Sequence, residues 1–340
     1  MRALFIGGTG TISQAISKQL LMQNWELYLL NRGNHNENLP INVKTITADI
    51  KEEEKVRELI KDLHFDVVAD FIAFVPEHLE RDHRLFQGKT KQFIFISSAS
   101  AYQKPLSDYR INEGTPLSNP YWEYSRNKIR CEDYLMKLYR EESFPVTIVR
   151  PSHTYDEKSI PLGVHGRKGS YQVVERMRQG KPVIIHGDGT SLWTMTHSSD
   201  FAKGFLGLMG NIHAIGESVQ ITSDEALTWN QIYRCIADCL SVELKPYYVS
   251  SSFLAAVSDY DFHGSLLGDK ANSVVFDNSK LKRLVPDFTA VKRFDQGVAE
   301  TIEYVLNHPE CQSLDVEFDI WCDRAIEVLE EAKIELRIRQ

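Results

Sequence analysis

The sequence predicts an α/β fold, a doubly wound parallel sheet with a smaller C-terminal domain. Three observations carry that expectation. Short apolar runs alternate with stretches of helical spacing through the first half of the chain. The runs are apolar at consecutive positions, as in strands buried on both faces of a parallel sheet. A glycine-rich turn follows the first run and opens the first helical stretch.

Residues 2–6 (RALFI) read as the first strand and residues 11–23 as the first helix. Residues 26–30 and 43–48 supply the next two strands, and 53–63 repeat at helical spacing. Residues 66–71, 92–97 (QFIFIS) and 146–150 (VTIVR) continue the strands, with a helix over 124–141 before the last of them. After Pro151 the pattern loosens. Residues 159–169 carry Pro, Gly and His and read as a loop over a site, and 183–185 as a strand before the turn at 187–189. Helices are expected over 199–209, 228–240 and 294–307, with a terminal amphipathic helix over 320–336.

The 340 residues are 42% hydrophobic and 25% charged, ordinary globular composition for one large domain or two sharing a core. A net charge of -8 argues against a nucleic-acid partner, because phosphate contacts need a clustered basic surface. Five cysteines (Cys131, Cys235, Cys239, Cys311, Cys322) stand at no metal-ligand spacing. They read as structural thiols in a reducing compartment, with no metal expected. The N-terminus begins as a strand with no basic leader, and no apolar run approaches the roughly 20 residues that span a bilayer. The cytoplasm is the expected location, and a small molecule, not a membrane, the expected partner.

Gly7-Gly-Thr-Gly-Thr-Ile-Ser13 lies between strand and helix, the context that a dinucleotide-binding turn requires. Gly7 allows the tight turn. Gly10 lets the backbone approach a pyrophosphate at the positive end of the helix, with Thr9, Thr11 and Ile12 alongside. Ser13 stands in place of the usual third glycine. About 20 residues on, where a carboxylate would hold the ribose of NAD, the chain reads Leu30-Asn31-Arg32-Gly33. An Arg suits a phosphate, so NAD(P) is the expected cofactor with NADP favoured; the competing reading of Arg32 is a surface residue in a turn.

Tyr124-Ser-Arg-Asn-Lys128 puts a phenol and an ammonium one turn apart on one helix face. A free tyrosine titrates near 10, too high for an efficient base at neutral pH, and a nearby ammonium lowers that value. Such a pair also arises by chance. This one follows Ile96-Ser-Ser-Ala-Ser-Ala-Tyr102 at the carboxyl end of a strand, where ligands gather. A serine hydroxyl there can donate to a substrate oxygen while Tyr124 moves a proton.

These residues resemble the extended short-chain dehydrogenase/reductase family, the NAD-dependent epimerases and dehydratases on a Rossmann-type fold. The resemblance runs from GGTGTI through Asp49-Ile50, SSASAY at 97–102, YSRNK at 124–128 and RPSHTY at 150–155. It continues with GDG at 187–189, Asp200, and Phe276-Asp-Asn-Ser-Lys280. It implies a nucleotide domain over 1–155, to which 183–210 returns, and a substrate region over 156–182 and 211–340. Tyr124 is then the acid/base, Lys128 the holder of the nicotinamide ribose, and Ser98 the hydroxyl that polarises substrate, with Ser100 nearby. Asp49 and Ile50 meet the adenine, and Phe71, Ala73 and Pro151 complete the cofactor set. Hydride passes between a substrate carbon and nicotinamide C4, on a sugar or sugar-like alcohol, in a homodimer. A non-catalytic NAD(P)- or RNA-binding protein on the same fold is the other reading. Three positions depart from the family pattern: Asp70-Phe-Ile-Ala73 lacks glycine, Asp156 replaces one, and Trp193 stands where many members carry a diphosphate-binding Arg. His153 and His197 are further pocket candidates, each also readable as a loop or core histidine.

Overall fold

The computed structural model describes residues 1–34 and 42–338. They form two compact units, one of Met1–Thr154, Thr194–Asp224 and Val275–Lys292, the other of Tyr155–Trp193, Glu225–Val274 and Arg293–Gln340.

The first unit is built on seven strands: β1 (Arg2–Ile6), β2 (Glu26–Asn31), β3 (Lys44–Thr47), β4 (Val67–Asp70), β5 (Phe93–Ile96), β6 (Val146–Pro151) and β7 (Ser218–Ile221). They pair in the order β7-β6-β5-β4-β1-β2-β3, all parallel. Helices α1 (Thr11–Leu21), α2 (Glu53–Leu59), α3 (Pro76–Phe86) and α4 (Glu123–Glu142) lie in the crossovers. The consecutive apolar residues are explained by burial on both faces. Ala3 and Phe5 join a core with Ile16 and Leu20 of α1 and Phe201 and Phe205 of a helix over Ser198–Leu208. Leu4 and Ile6 face the opposite core, with Val56, Leu79 and Leu135 from α2, α3 and α4.

Two elements of this sheet and its crossovers have no counterpart in the sequence analysis. In α3 the buried face carries Arg81 and Asp82 beside Leu79, Leu85 and Phe86, and those charges interrupt the apolar period. In β7 a fully buried Gln220 breaks the apolar run. Its amide accepts from the Tyr102 hydroxyl (2.8 Å) and donates to the carbonyls of Ile111 and Asp277. Elsewhere the expected elements form with ends shifted by a few residues, α2 stopping at Leu59.

In the second unit Val183–His186 pairs in parallel with Pro246–Val249, and Leu192–Trp193 pairs antiparallel with Leu227–Thr228. Its terminal helix, Val316–Ile338, is tied to the helix Tyr171–Arg178 by a buried Arg176 that meets Asp319 and Asp323 at 2.7 and 2.8 Å. Residues 159–169 form a loop, as expected. All five cysteines are free thiols. Among the described residues no helix is long and apolar enough to cross a membrane, and no group of three or more His, Cys, Asp or Glu could hold a metal ion.

Candidate active site

Within the first unit, a cavity of about 810 Å³ opens at the carboxyl ends of β1 to β4. Gly7, Thr9, Gly10, Thr11 and Ile12 form its floor, Asn31 and Arg32 the wall after β2, Asp49 and Ile50 the wall after β3, and Phe71 the wall after β4. The two glycines differ in what they do. Gly7 has φ +79, and a Cβ there would come within 2.2 Å of Ile72 Cγ2, so only glycine fits. A Cβ on Gly10 would meet nothing nearer than Ser13 Oγ at 3.8 Å, so its bareness leaves room for a ligand. Ser13 closes the first turn of α1 by accepting from the Gly10 N–H (2.9 Å) and donating to the Gly10 carbonyl (3.1 Å). The N-terminus of α1, with its positive end, thus borders the cavity. Asn31 Oδ1 accepts from the Gly33 N–H (2.8 Å) and shapes the turn from which the exposed Arg32 projects.

Ala73, Lys128, Tyr124 and Pro151 do not line this cavity, but Ile96 does, and there the second set begins. Lys128 is 2% exposed. Its ammonium donates to the carbonyls of Ile96 and Ala73, both at 2.7 Å, and stands 5.7 Å from the centre of the Tyr124 ring, one helical turn away. The rings of Phe74 and Phe95 also face it, at 4.7 and 4.8 Å. Burial pulls Lys128 down to about 8, against the opposing pull of Cys131, Asp70 and Glu132. Pro151 ends β6.

Three hydroxyls run in a line behind Ser98. Ser125 Oγ donates to Ser100 Oγ at 2.7 Å, and Ser100 Oγ lies 2.9 Å from Ser98 Oγ. Ser100, expected on the substrate side, is buried in the middle of this line, while Ser98 is half-buried. Ser125 was not singled out by the sequence analysis, although it sits inside YSRNK. Neither was Glu132, which continues the Tyr124/Lys128 stripe by another turn. It accepts from Ser97 Oγ and receives the Arg150 guanidinium, tying α4 to the ends of β5 and β6.

A sequence model described as the NAD dependent epimerase/dehydratase family matches residues 3–221. The chain belongs to that family. It is an NAD-dependent epimerase/dehydratase-like enzyme with the family's parallel α/β sheet. Among similar proteins, the 2'-dehydrokanamycin reductase of Streptomyces kanamyceticus is 22% identical over 289 residues, 85% of this chain and 80% of the reductase. The chloroplast stem-loop binding protein of 41 kDa b of Arabidopsis thaliana is 25% identical over 254 residues, 69% of this chain and 62% of that protein. The UDP-glucuronic acid 4-epimerase of Bacillus cereus, solved with UDP-glucuronic acid and NAD, shares the fold with a TM-score of 0.72. That match is 18% identical and covers 90% of this chain and 99% of the epimerase.

The remaining candidates of this epimerase/dehydratase family member are more dispersed. His153 is half-buried in the short strand His153–Tyr155. His197 caps the helix Ser198–Leu208, its Nδ1 accepting from the Ser199 N–H (3.2 Å) and lying 2.7 Å from Ser199 Oγ. Trp193 belongs to the second unit, where it is 3% exposed and stacks on Trp229 with 6.1 Å between ring centres. Its indole Nε1 has no hydrogen-bond partner among the described residues.

Proposed function

We propose that this chain is an NADP-dependent oxidoreductase or epimerase that transfers hydride at a carbinol or carbonyl carbon of a sugar or sugar-like alcohol. One observation carries the proposal: a buried ammonium, fixed by two carbonyls of which one belongs to the cavity-lining Ile96, lies one helical turn from a phenol, and Ser98 follows Ile96 by two residues. The cavity suits a dinucleotide in its bare Gly10 and in the helix N-terminus at its floor. A nicotinamide dinucleotide held there would supply the hydride acceptor or donor. Tyr124 takes the proton from the substrate hydroxyl, or gives it back to the carbonyl oxygen. Lys128 favours the phenolate form of Tyr124 by its charge. Ser98 donates to the same substrate oxygen. With Ser125 donating to Ser100 and Ser100 to Ser98, the Ser98 proton is left for that oxygen.

The preference for NADP rests on Arg32, exposed on the cavity wall, and on Asn31 where a carboxylate would repel a 2'-phosphate. Arg32→Ala is expected to weaken NADP binding by about 1.5–3 kcal/mol more than NAD binding, the worth of a hydrogen bond to a charged group. Calorimetric titration with both cofactors checks it, and an equal loss removes Arg32 from cofactor choice. The substrate we infer lacks a nucleotide diphosphate, because Trp193 offers no charge where many members carry Arg. The named substrate of the Streptomyces reductase, 2'-dehydrokanamycin, supports that reading. Tight, saturable binding of a UDP- or GDP-sugar would overturn it. The free thiols suit a reducing compartment, which we take to be the cytoplasm, and the long helices suit a homodimer.

The similarity to a stem-loop binding protein favours a second reading, a non-catalytic RNA binder. The net charge of -8 opposes it. Mobility shift with a stem-loop RNA, beside oxidation of NADPH with candidate carbonyl sugars, separates the two.

A further inference from the structure

Asp70 ends β4 at the position where the sequence departs from the family pattern, and it is fully buried. Its Oδ1 accepts from the N–H groups of Ile72 and Ala73, at 2.6 and 2.8 Å. Those two bonds fix the turn whose next carbonyl, that of Ala73, receives the Lys128 ammonium. The carboxylate therefore does the work of a glycine turn, and sets the lysine's seat through a single residue.

Behind Asp70 lies a second buried carboxyl, Asp82 of α3. The Arg81 guanidinium clamps Asp82 Oδ1 through Nε (2.9 Å) and Nη2 (2.7 Å), and Nη2 lies 3.7 Å from Asp70 Oδ2. Asp70 Oδ2 and Asp82 Oδ2 are each buried, and neither has a hydrogen-bond partner of ordinary geometry among the described residues. Two carboxylate oxygens in that state repel, whereas one shared proton satisfies both. Burial and the neighbouring Asp70 push the Asp82 carboxyl well above the usual range, which makes Asp82 the member that carries the proton.

We propose that Asp70 is a positioning residue for the Tyr124–Lys128 pair: its carboxyl group, backed by Asp82, seats the Ala73 carbonyl on Lys128 and supports the ammonium there. The catalytic meaning rests on the function proposed above; the electrostatic arrangement does not. The ionisable groups that act on Lys128 are Cys131 and Glu132 from its own helix and Asp70 from β4. Tyr124 also stands beside it. Glu132 is paired with Arg150, and of the two carboxylates Asp70 is the one that also fixes the seat.

The test is the titration of Lys128 in the full chain, read from carbon-13 at its ε position and assigned with Lys128→Met. The wild-type midpoint is expected near 8. Asp70→Asn keeps an acceptor for the two N–H groups but removes the charge, and should lower the midpoint by about one pH unit or more. Asp82→Asn imitates a protonated acid and should leave it in place. An unmoved midpoint in folded Asp70→Asn, or an equal shift in both variants, overturns the proposal. A purely structural Asp70 would lower stability without moving the titration. The aspartate carboxyl signals of the unmutated protein give an arm that needs no Asp70 variant. One buried carboxyl should stay protonated at pH 7, and finding both ionised overturns the proposal as well. None of these readouts uses turnover, so a Tyr124→Phe enzyme that still works would remove the catalytic reading and leave this measurement standing.

Discussion

A lysine ammonium that is 2% exposed, with two carbonyls as its hydrogen-bond acceptors among the described residues, is held at a cost, and burial lowers its titration to about 8. The sign follows from proton counts. Below about pH 8 the folded and unfolded chains both carry the proton, and the penalty is fully present. Between there and the ordinary lysine value near 10.4, the unfolded chain keeps a proton that the folded chain has released, so this group's contribution to stability rises with pH. Relative to Lys128→Met, the wild-type protein should gain about 3 kcal/mol between pH 7 and pH 10.5. Urea denaturation of the two proteins at both pH values checks it, and a constant difference would show that Lys128 is not perturbed. At this scale the sequence was informative for one pair at short spacing. Tyr124 and Lys128, four apart on α4, could be read directly. Asp70 and Asp82 could not, because their pairing depends on how a strand end and a helix meet.

The glycine turn and α1 show how an element makes two similar residues unequal. Gly7 is required by its own backbone angle and by Ile72, whereas a Cβ on Gly10 would meet only Ser13 Oγ, at 3.8 Å. Gly7→Ala should therefore lose stability, on the order of 1–3 kcal/mol for a residue forced into a left-handed conformation. Gly10→Ala should melt close to wild type yet bind NADPH at least roughly tenfold more weakly, a loss of about 1.4 kcal/mol. Thermal melts paired with fluorescence titration distinguish the two; equal melting losses would contradict the assignment. The same scale explains the elements missed. Helix α3 hides its period behind the buried Arg81 and Asp82, and β7 hides behind Gln220. Apolar spacing detects burial only where burial is apolar.

For the whole molecule, the alternation of strands and helices was enough to give the sheet, its parallel sense and the edge where ligands gather. Long-range connectivity was not legible in the same way. Val275–Phe276 pairs with Arg110–Ile111, and residues 194–224 and 275–292 rejoin the first unit. Local spacing carries no record of a partner so distant in sequence. What the fold brings together is a cavity floored by the glycine turn and a lysine seated on the carbonyl of Ile96, which lines it. That convergence, more than any one motif, supports hydride transfer as the function, since a fold alone hosts many reactions. The most direct test is the rate of NADPH oxidation by wild type and Tyr124→Phe, with the best carbonyl sugar from the substrate screen, alongside the NADPH affinity of each protein. The phenylalanine keeps the ring and loses the proton. Turnover should fall by roughly 10²–10⁴-fold with cofactor affinity nearly unchanged. Turnover within about tenfold of wild type would exclude Tyr124 as the acid/base and contradict the account.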